Sequence, residues 1–298
     1  MVELQRIATE QRNPNTAHID TLSTLDMVKL INQEDHNVAD AVAAVTPKIA
    51  EAIDVIADRL SNGGRLIYSG CGTSGRLGIL DAVECPPTYS TDPELVQGLI
   101  AGGYPAIFKA VEGAEDNFDL GRMDLEGIHF SEKDVLVGLA ASGRTPYVLG
   151  AMEYAKKLGA AVIGVTCCPG SEIDQSADIG ISPTPGPEVI TGSTRMKSGT
   201  AQKMVLNMLS TGTMIKMGKV YGNLMVDVKP SNEKLVRRCI TIVCAAAECD
   251  EQTAIAALEA CGYHPKTAIV MILKNTDTAQ AEVLLAQANG RIARVLEV

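Results

Sequence analysis

Short apolar runs, each ending in a loop rich in glycine or serine, constrain the fold of this chain more than any other feature of its sequence. Their apolar residues are continuous rather than alternating, and stretches of helical pattern separate them. This arrangement is typical of a parallel sheet that is covered by helices on both faces. We therefore predict a doubly wound α/β domain with a five-stranded parallel sheet over residues 51–230. The predicted strands are Leu66–Tyr68, Val96–Ala101, Val135–Ala140, Ala161–Thr166 and Ile179–Ile181.

A helical pattern precedes this domain. Apolar residues recur every three or four positions between residues 38 and 60. Within that stretch, Thr46 and Pro47 are typical of an N-cap and the first residue of a helix. We predict that two helices meet there, and that residues 1–50 form an N-terminal helical segment.

The chain after the domain is also helical in pattern. A long helix is predicted over Met196–Met217, and the remaining residues, 231–298, are predicted to form a small C-terminal bundle of UBA-like type. Capping patterns mark the helix starts within this bundle. These starts are at Asp250, Pro265 and Thr278.

Composition excludes several classes of function. The chain has 26 basic and 36 acidic residues, and its net charge of −10 argues against general binding to nucleic acid phosphates. The longest apolar stretch without charge, residues 96–108, is broken by glycines and a proline and is too short to span a bilayer. The first residues are polar and lack the apolar segment of a secretory signal, so a cytoplasmic location is expected.

Cysteine and histidine placement argues against disulfides and zinc. The chain has eight cysteines, but no C-x-x-C spacing occurs, and the four histidines are scattered singly. Zinc sites require clustered ligands of these types. We expect reduced thiols and no bound metal.

Three loops share a composition that suits an anionic ligand. Each is rich in Gly, Ser and Thr, carries Arg or Lys, lacks acidic residues and opens a predicted helix. Small side chains let backbone N–H groups approach a ligand, and a helix N-terminus favours negative charge. The stretch 189–226 contains five basic residues and no acidic one, which suits a phosphate ester. The loops are Ser69–Arg76, Ala141–Pro146 and Thr191–Lys197.

The first loop matches two nucleotide-binding motifs only in part. Gly70–Gly75 fits G-x-G-x-x-G after a strand, yet the next strand ends in Gly102-Gly103 with no acidic residue to hold a ribose. A Walker loop would need Lys-Ser or Lys-Thr where Arg76-Leu77 stands. We therefore predict no nicotinamide or nucleotide cofactor.

The loops resemble those of the sugar isomerase (SIS) domain, which binds phosphosugars. Longer strings resemble one group of SIS proteins, the N-acetylmuramic acid 6-phosphate etherase family, to which the glucokinase regulatory protein is similar. The resemblance extends from about residue 8 to the helical tail. The strings are Ile19–Thr24, Gly70–Leu77, Asp81–Tyr89, Val111–Asp116, Ala141–Tyr147 and Ser193–Lys203.

The resemblance implies an activity. It implies a cofactor-independent carbon–oxygen lyase, of the hydro-lyase class, that cleaves the D-lactyl ether of N-acetylmuramate 6-phosphate. The products would be N-acetylglucosamine 6-phosphate and D-lactate, during recycling of peptidoglycan. Because SIS domains commonly pair, and because both helical ends have an apolar face, a homodimer is expected.

The resemblance also implies the site residues. Glu84 and Glu115 would be the catalytic carboxylates, with Glu84 as the acid that protonates the lactate oxygen. Because Pro86-Pro87 should end the helix that begins near Ser74, Glu84 is expected in its last turn. The implied substrate-binding residues are Gly72, Thr73, Ser74, Ser142, Gly143, Thr145, Ser193 and Lys197.

Two alternatives share the fold and the loops. A phosphosugar isomerase of this fold would resemble its relatives in placing a catalytic Glu early in the long helix, but no carboxylate lies between Glu188 and Asp227. A non-catalytic phosphosugar sensor would keep the loops without needing paired carboxylates. Release of D-lactate would distinguish the etherase from both.

Overall fold

A computed structural model of the chain describes residues 8–228, 230 and 232–297. These residues divide into two compact units. The first consists of the described residues of Met1–Val83 and Glu94–Ser210, and the second of those of Glu84–Pro93 and Thr211–Val298. The domain boundaries predicted at residues 50 and 230 stay a prediction.

The first unit contains a five-stranded parallel sheet in the order β2-β1-β3-β4-β5. The two central strands, β1 and β3, are buried along their whole length, as expected for strands covered on both faces. All five strands predicted from the apolar runs are confirmed. The strands are β1 (Leu66–Gly70), β2 (Val96–Ile100), β3 (Val135–Leu139), β4 (Ala161–Val165) and β5 (Ile179–Ile181).

Nine α-helices precede residue 217 in the described chain. Three short 3-10 turns come first, at Ala8–Glu10, Pro14–Thr16 and Ile19–Thr21. The helices are α1 (Thr24–Asp35), α2 (Asn37–Ala43), α3 (Thr46–Ser61), α4 (Gly72–Tyr89), α5 (Tyr104–Phe108), α6 (Phe118–Gly127), α7 (Pro146–Lys157), α8 (Glu172–Ser176) and α9 (Lys197–Lys216).

The predicted break between two helices near Thr46 is confirmed, but its capping is different. The N-cap of α3 is Val45, whose side chain makes no capping bond, and Thr46 is already helical. The Thr46 hydroxyl instead donates back to the carbonyl oxygen of Ala43, at 2.8 Å. Pro47 therefore occupies the second helical position, where its missing N–H has no intrahelical partner to lose.

Helix α4 does not end where its two prolines predict. It continues through Pro86 and Pro87 to Tyr89, so the expectation that Glu84 lies in the last turn is wrong. Proline has a φ compatible with a helix, and two successive prolines remove only two N–H donors. Burial of Cys85 and Tyr89, which are 2% and 8% exposed, holds this part of the helix in place.

The second unit is a helical bundle with a small hairpin, and the helical character predicted for the C-terminal region is confirmed. Asp250 and Asp277 cap their helices by accepting bonds from Thr253 N and Gln280 N. The hairpin is an addition to the prediction, although Gly222-Asn223 is a typical two-residue turn. The elements are β6 (Val220–Tyr221), β7 (Leu224–Met225), α10 (Glu233–Ala247), α11 (Glu251–Ala260), α12 (Pro265–Lys274), α13 (Thr278–Gln287) and α14 (Ile292–Glu297).

Within the described part of the chain, no helix combines the length and the apolar character that crossing a bilayer requires.

Candidate active site

The order of the strands marks one edge of the sheet as the place for a ligand. Neighbours β1 and β3 are the strands at which the order reverses, with β2 on one side and β4 on the other. In sheets of this order, ligands bind beyond the carboxyl ends of the two strands at the reversal. Two of the three predicted anion-binding loops follow these strands directly.

The loop after β1 is held close to the strand by glycine. A Cβ on Gly75 would lie 2.7 Å from the carbonyl oxygen of Gly70, so no larger residue fits here. Helix α4 then begins at Gly72, which has a φ of +50°, with no acidic residue in its first turn. The N–H groups of that turn therefore face no competing carboxylate from the helix itself.

The two hydroxyls of this loop have different environments. Ser74 is buried, and its Oγ donates to Oε1 of Gln202 in α9 at 2.8 Å. Thr73 is half-buried and lies beside the same helix, since its Cγ2 would be 3.5 Å from a Cβ on Gly199. Ser74 thus joins α4 to α9, and Thr73 is the more accessible hydroxyl.

The loop after β3 also depends on one glycine. Gly143 has a φ of +69°, and a Cβ on it would lie 2.0 Å from Oγ of Ser171. Its carbonyl oxygen accepts from Ile173 N at 3.0 Å, which fixes the loop against α8. Ser142 and Thr145 on either side are half-buried, and Thr145, the N-cap of α7, uses its side chain for no capping bond.

Glu115 lies beside both loops. Its carbonyl oxygen accepts from Tyr147 N, in the first turn of α7, at 3.1 Å. Its carboxylate is close enough to Cys71 to affect that thiol: burial, and after it the charge of Glu115, raise the pKa of Cys71 to about 12. The Glu115 side chain is exposed. The structure therefore brings this predicted catalytic residue together with the loops after β1 and β3.

A buried tyrosine supports this corner of the site. Tyr147 is fully buried, and its hydroxyl donates to Oδ2 of Asp124 in α6 at 2.6 Å. Burial raises the pKa of Asp124 and the Tyr147 bond partly opposes that rise. No pattern in the sequence predicts this contact, because Asp124 lies in a helix with no recognisable motif.

The N-terminus of α9 is occupied by the protein itself. The buried carboxylate of Glu188 accepts from the N–H groups of Lys197 and Ser198, both at 2.9 Å. Ser193 is half-buried in the preceding loop, where its N–H donates to the carbonyl oxygen of Ile190. The structural roles of Glu188 and Gln202 lie outside the sequence-based prediction, although Gln202 belongs to one of the strings that carry the resemblance.

The Lys197 side chain is also turned inward. Its Nζ donates to Oε2 of Glu34 in α1 at 2.7 Å, and the side chains are 1% and 7% exposed. Asn13 and Asn15 donate to the same carboxylate. Burial opposes ionisation of Glu34, but these hydrogen bonds and the Lys197 charge hold its pKa below the usual value. Lys197 is therefore the cation of an internal ion pair.

Glu84 belongs to the second unit, where its side chain is exposed on α4. It follows Val83 and precedes the buried Cys85, so the helix presents it to solvent.

Throughout residues 8–228, 230 and 232–297, no three His, Cys, Asp or Glu side chains are grouped so as to hold a metal ion.

Two family models and several full-length relatives match this chain. Residues 48–156 match the glucokinase regulatory protein N-terminal SIS domain, and residues 125–212 match the SIS domain. An N-acetylmuramic acid 6-phosphate etherase of Klebsiella aerogenes is 59% identical over 295 residues, covering 99% of this chain and 98% of the relative. One of Photorhabdus laumondii is 61% identical over 291 residues, covering 98% and 97%.

Among solved structures, a Bacteroides fragilis protein involved in capsule formation has a TM-score of 0.52 to this chain. The two are 20% identical, and the match covers 67% of this chain and 95% of that one. At this identity, the similarity shows a shared fold.

Proposed function

The chain belongs to the N-acetylmuramic acid 6-phosphate etherase family, and from this premise we propose that it cleaves the D-lactyl ether of N-acetylmuramate 6-phosphate. The products are N-acetylglucosamine 6-phosphate and D-lactate, and the reaction serves the recycling of peptidoglycan. The observation that carries the proposal is sequence identity: the chain is 59% and 61% identical, over nearly its whole length, to two relatives named N-acetylmuramic acid 6-phosphate etherase.

The proposed reaction is an elimination followed by addition of water, which makes the enzyme a carbon–oxygen lyase of the hydro-lyase class. Opening of the sugar ring exposes an aldehyde at C1, which acidifies the C2 proton. A base removes this proton, a C2–C3 double bond forms, and the C3–O bond breaks as an acid protonates the departing lactate oxygen. Water then adds at C3, and a proton returns to C2. These steps need an acid, a base and an anchor for the phosphate.

Glu115 and Glu84 are proposed as the two proton-transferring groups. Glu115 would act on the C2 proton or on the water, a role supported by its position beside the loops after β1 and β3. Glu84 would protonate the lactate oxygen, and its side chain is exposed, so a ligand can reach it.

The phosphate is proposed to bind at the loops after β1 and β3. Thr73, Ser142 and Thr145 supply accessible hydroxyls there, and exposed Gly72 lets a ligand approach the backbone. Gly143 shapes the second loop, because its N–H donates to the carbonyl oxygen of Ala140 at 3.0 Å. The N-terminus of α4, whose first turn has no acidic residue, adds a favourable dipole. Ser74 would act through its bond to Gln202 by fixing α4 against α9. Ser193 remains a proposed phosphate contact. Lys197 is predicted as a second contact, but its buried ammonium group pairs with Glu34, and a Lys197 variant described in the Discussion tests which role it has.

A single assay tests the proposal. Purified protein is incubated with N-acetylmuramate 6-phosphate, and D-lactate is measured with a D-lactate dehydrogenase. We expect stoichiometric D-lactate and N-acetylglucosamine 6-phosphate without added metal or nucleotide. A ketose phosphate as product would instead indicate an isomerase, and binding without turnover would indicate a sensor.

The phosphate should be essential for turnover. Each charge-assisted hydrogen bond to it is worth about 1.5–3 kcal/mol, and the loops offer several donors. We expect kcat/KM for unphosphorylated N-acetylmuramate to be lower by at least about a thousand-fold, which corresponds to two or three such bonds. Comparable kcat/KM values for the two sugars would contradict the proposed anchor.

We further propose that the protein is a homodimer. In the first unit, large apolar side chains are exposed on α1 and α5: Leu25 and Val28 are 63% and 56% exposed, and Tyr104 and Phe108 are 74% and 72% exposed. Exposed apolar groups of this size commonly mark an interface. Light scattering should give about twice the chain mass of 31.4 kDa.

A double variant tests the surface. Tyr104→Ser with Phe108→Ser should shift the dimer toward monomer at micromolar concentration, whereas Val283→Ser, an exposed apolar residue of the second unit, should not. A wild-type protein that is monomeric and active would refute the dimer.

We propose that the enzyme is located in the cytoplasm, a reducing compartment that suits its eight free cysteines.

A further inference from the structure

The second unit contains a polar cavity that the proposed reaction does not use. Its volume is about 230 Å³, and it lies at the N-terminus of α12, a ten-residue helix. The side chains around it come from three separate parts of the unit: the residue after α4, the segments on either side of the hairpin, and the start of α12. The lining residues are Ser90, Lys219, Val226, Asp227, Val228, His264, Pro265, Lys266 and Thr267.

Cationic side chains dominate the polar lining. Nζ of Lys219 is 3.0 Å from the Asp227 carboxylate, and Nζ of Lys266 is 2.9 Å from it. One carboxylate thus lies between two ammonium groups, which leaves one positive charge uncompensated. All three side chains are mostly buried, at 24%, 18% and 14% exposure for Lys219, Asp227 and Lys266, so solvent screens that charge weakly.

The start of α12 adds donors that no protein group uses. The N-cap residue His264 makes no side-chain capping bond, and Pro265 has no N–H. In the part of the chain that the structure describes, the N–H groups of Lys266 and Thr267 have no backbone acceptor. Thr267 is only 7% exposed, lines the cavity, and its hydroxyl has no hydrogen-bond partner among the described residues. The Thr267 hydroxyl is open to the cavity, so a ligand there could accept a hydrogen bond from it.

We propose that this cavity is a binding site for a small phosphate-bearing anion, either free phosphate or a short phosphate ester. A tetrahedral phosphate has enough oxygens to accept at once from an ammonium group, from the two N–H groups of α12 and from the Thr267 hydroxyl. A planar carboxylate has only two oxygens, which these four donors would have to share. The helix N-terminus and the excess positive charge both favour an anion. The proposal does not rest on the etherase activity.

The test uses the full-length protein with ¹³C-labelled threonine methyl groups, and the Thr267 signal is assigned from its absence in Thr267→Ser. The protein is titrated with sodium phosphate, and separately with glycerol phosphate, at constant ionic strength. We expect a saturable shift of the Thr267 methyl signal with phosphate. A shift with both would mean that the site accepts esters, and a shift with free phosphate alone would mean that it binds the free ion.

Variants connect the shift to the cavity. Lys266→Met and Lys219→Met should each weaken phosphate binding about ten-fold, and each leaves one lysine to pair with Asp227. Exposed Lys234, in α10, gives the matched control Lys234→Met, which should leave the affinity unchanged. Thr267→Val keeps the shape of the side chain, and its affinity, followed by calorimetry, should also fall. A Thr267 signal that does not respond, that responds equally to sodium chloride, or that responds to D-lactate but not to phosphate would overturn the proposal.

Discussion

Replacing Glu84 by glutamine should lower the rate of D-lactate release by about 10²–10⁴-fold, the range typical of losing a general acid. Glutamine has the size of glutamate and can donate a hydrogen bond, but it cannot give up a proton to the lactate oxygen. Because Glu84 is exposed, the substitution should cost little stability. Steady-state assays should therefore show a lower kcat with a nearly unchanged KM for N-acetylmuramate 6-phosphate.

The same variant should separate the two proton transfers. If Glu84 acts only on the leaving oxygen, Glu84→Gln should still exchange the C2 proton of the substrate with deuterium from the solvent. Glu115→Ala should lose lactate release as well, either through loss of that exchange or through failure to activate water. Glu259→Gln, which changes an exposed glutamate of α11, is the matched control and should keep full activity. Near wild-type lactate release by folded Glu84→Ala would remove Glu84 from the mechanism.

The sheet could be predicted from sequence because its signal is local. A run such as Val135–Leu139 is apolar at every position, and a strand covered on both faces requires that pattern. The glycines that end such runs are also visible in the local sequence: Gly143 has a φ of +69°, a backbone conformation that side chains other than glycine rarely adopt. Neighbouring residues determine these features, so the chain displays them without knowledge of distant contacts.

The end of α4 could not be predicted in the same way. Proline propensity argues for a break before Pro86, yet the helix continues to Tyr89. Burial of Cys85 and Tyr89 offsets the two lost hydrogen bonds, and the Tyr89 hydroxyl donates to Oγ1 of Thr211, more than 120 residues later, at 3.4 Å. With Glu84 outside the last turn, the negative end of the helix dipole is not directed at its carboxyl group. The proposal for Glu84 therefore rests on the family and on the exposed position of its side chain.

The role of Lys197 also depends on a contact that is distant in sequence. Its position after a loop rich in serine and threonine, in a basic stretch, predicts contact with a phosphate. Its partner in the structure is Glu34, more than 160 residues earlier, in a helix that no motif connects with the loop. A cation that binds an anionic ligand and a cation that neutralises a buried carboxylate have the same local sequence, and only the fold separates them.

Replacing Lys197 by methionine should therefore lower the free energy of unfolding by about 3–5 kcal/mol, because it leaves the carboxylate of Glu34 buried without its cation. Both side chains are almost fully buried, so water cannot take over the role of the ammonium group. Urea unfolding at pH 7, compared with the wild type, measures the loss. The double variant with Glu34→Gln should recover part of it, since no unpaired charge then remains.

The pH dependence of the free energy of unfolding tests the same prediction in a second way. In the wild type, hydrogen bonds and the Lys197 charge keep the pKa of Glu34 below its ordinary value of 4.5 despite burial, so the pair contributes stability above that pH and loses it as the pH falls. In Lys197→Met, burial without the cation should instead raise the pKa of Glu34, and protonation then removes the unpaired charge. The difference in stability between the two proteins should consequently be largest near neutral pH and become smaller in acid. If Lys197→Met were as stable as the wild type but bound the phosphosugar weakly, Lys197 would be a phosphate contact, and its ion pair with Glu34 would be dispensable.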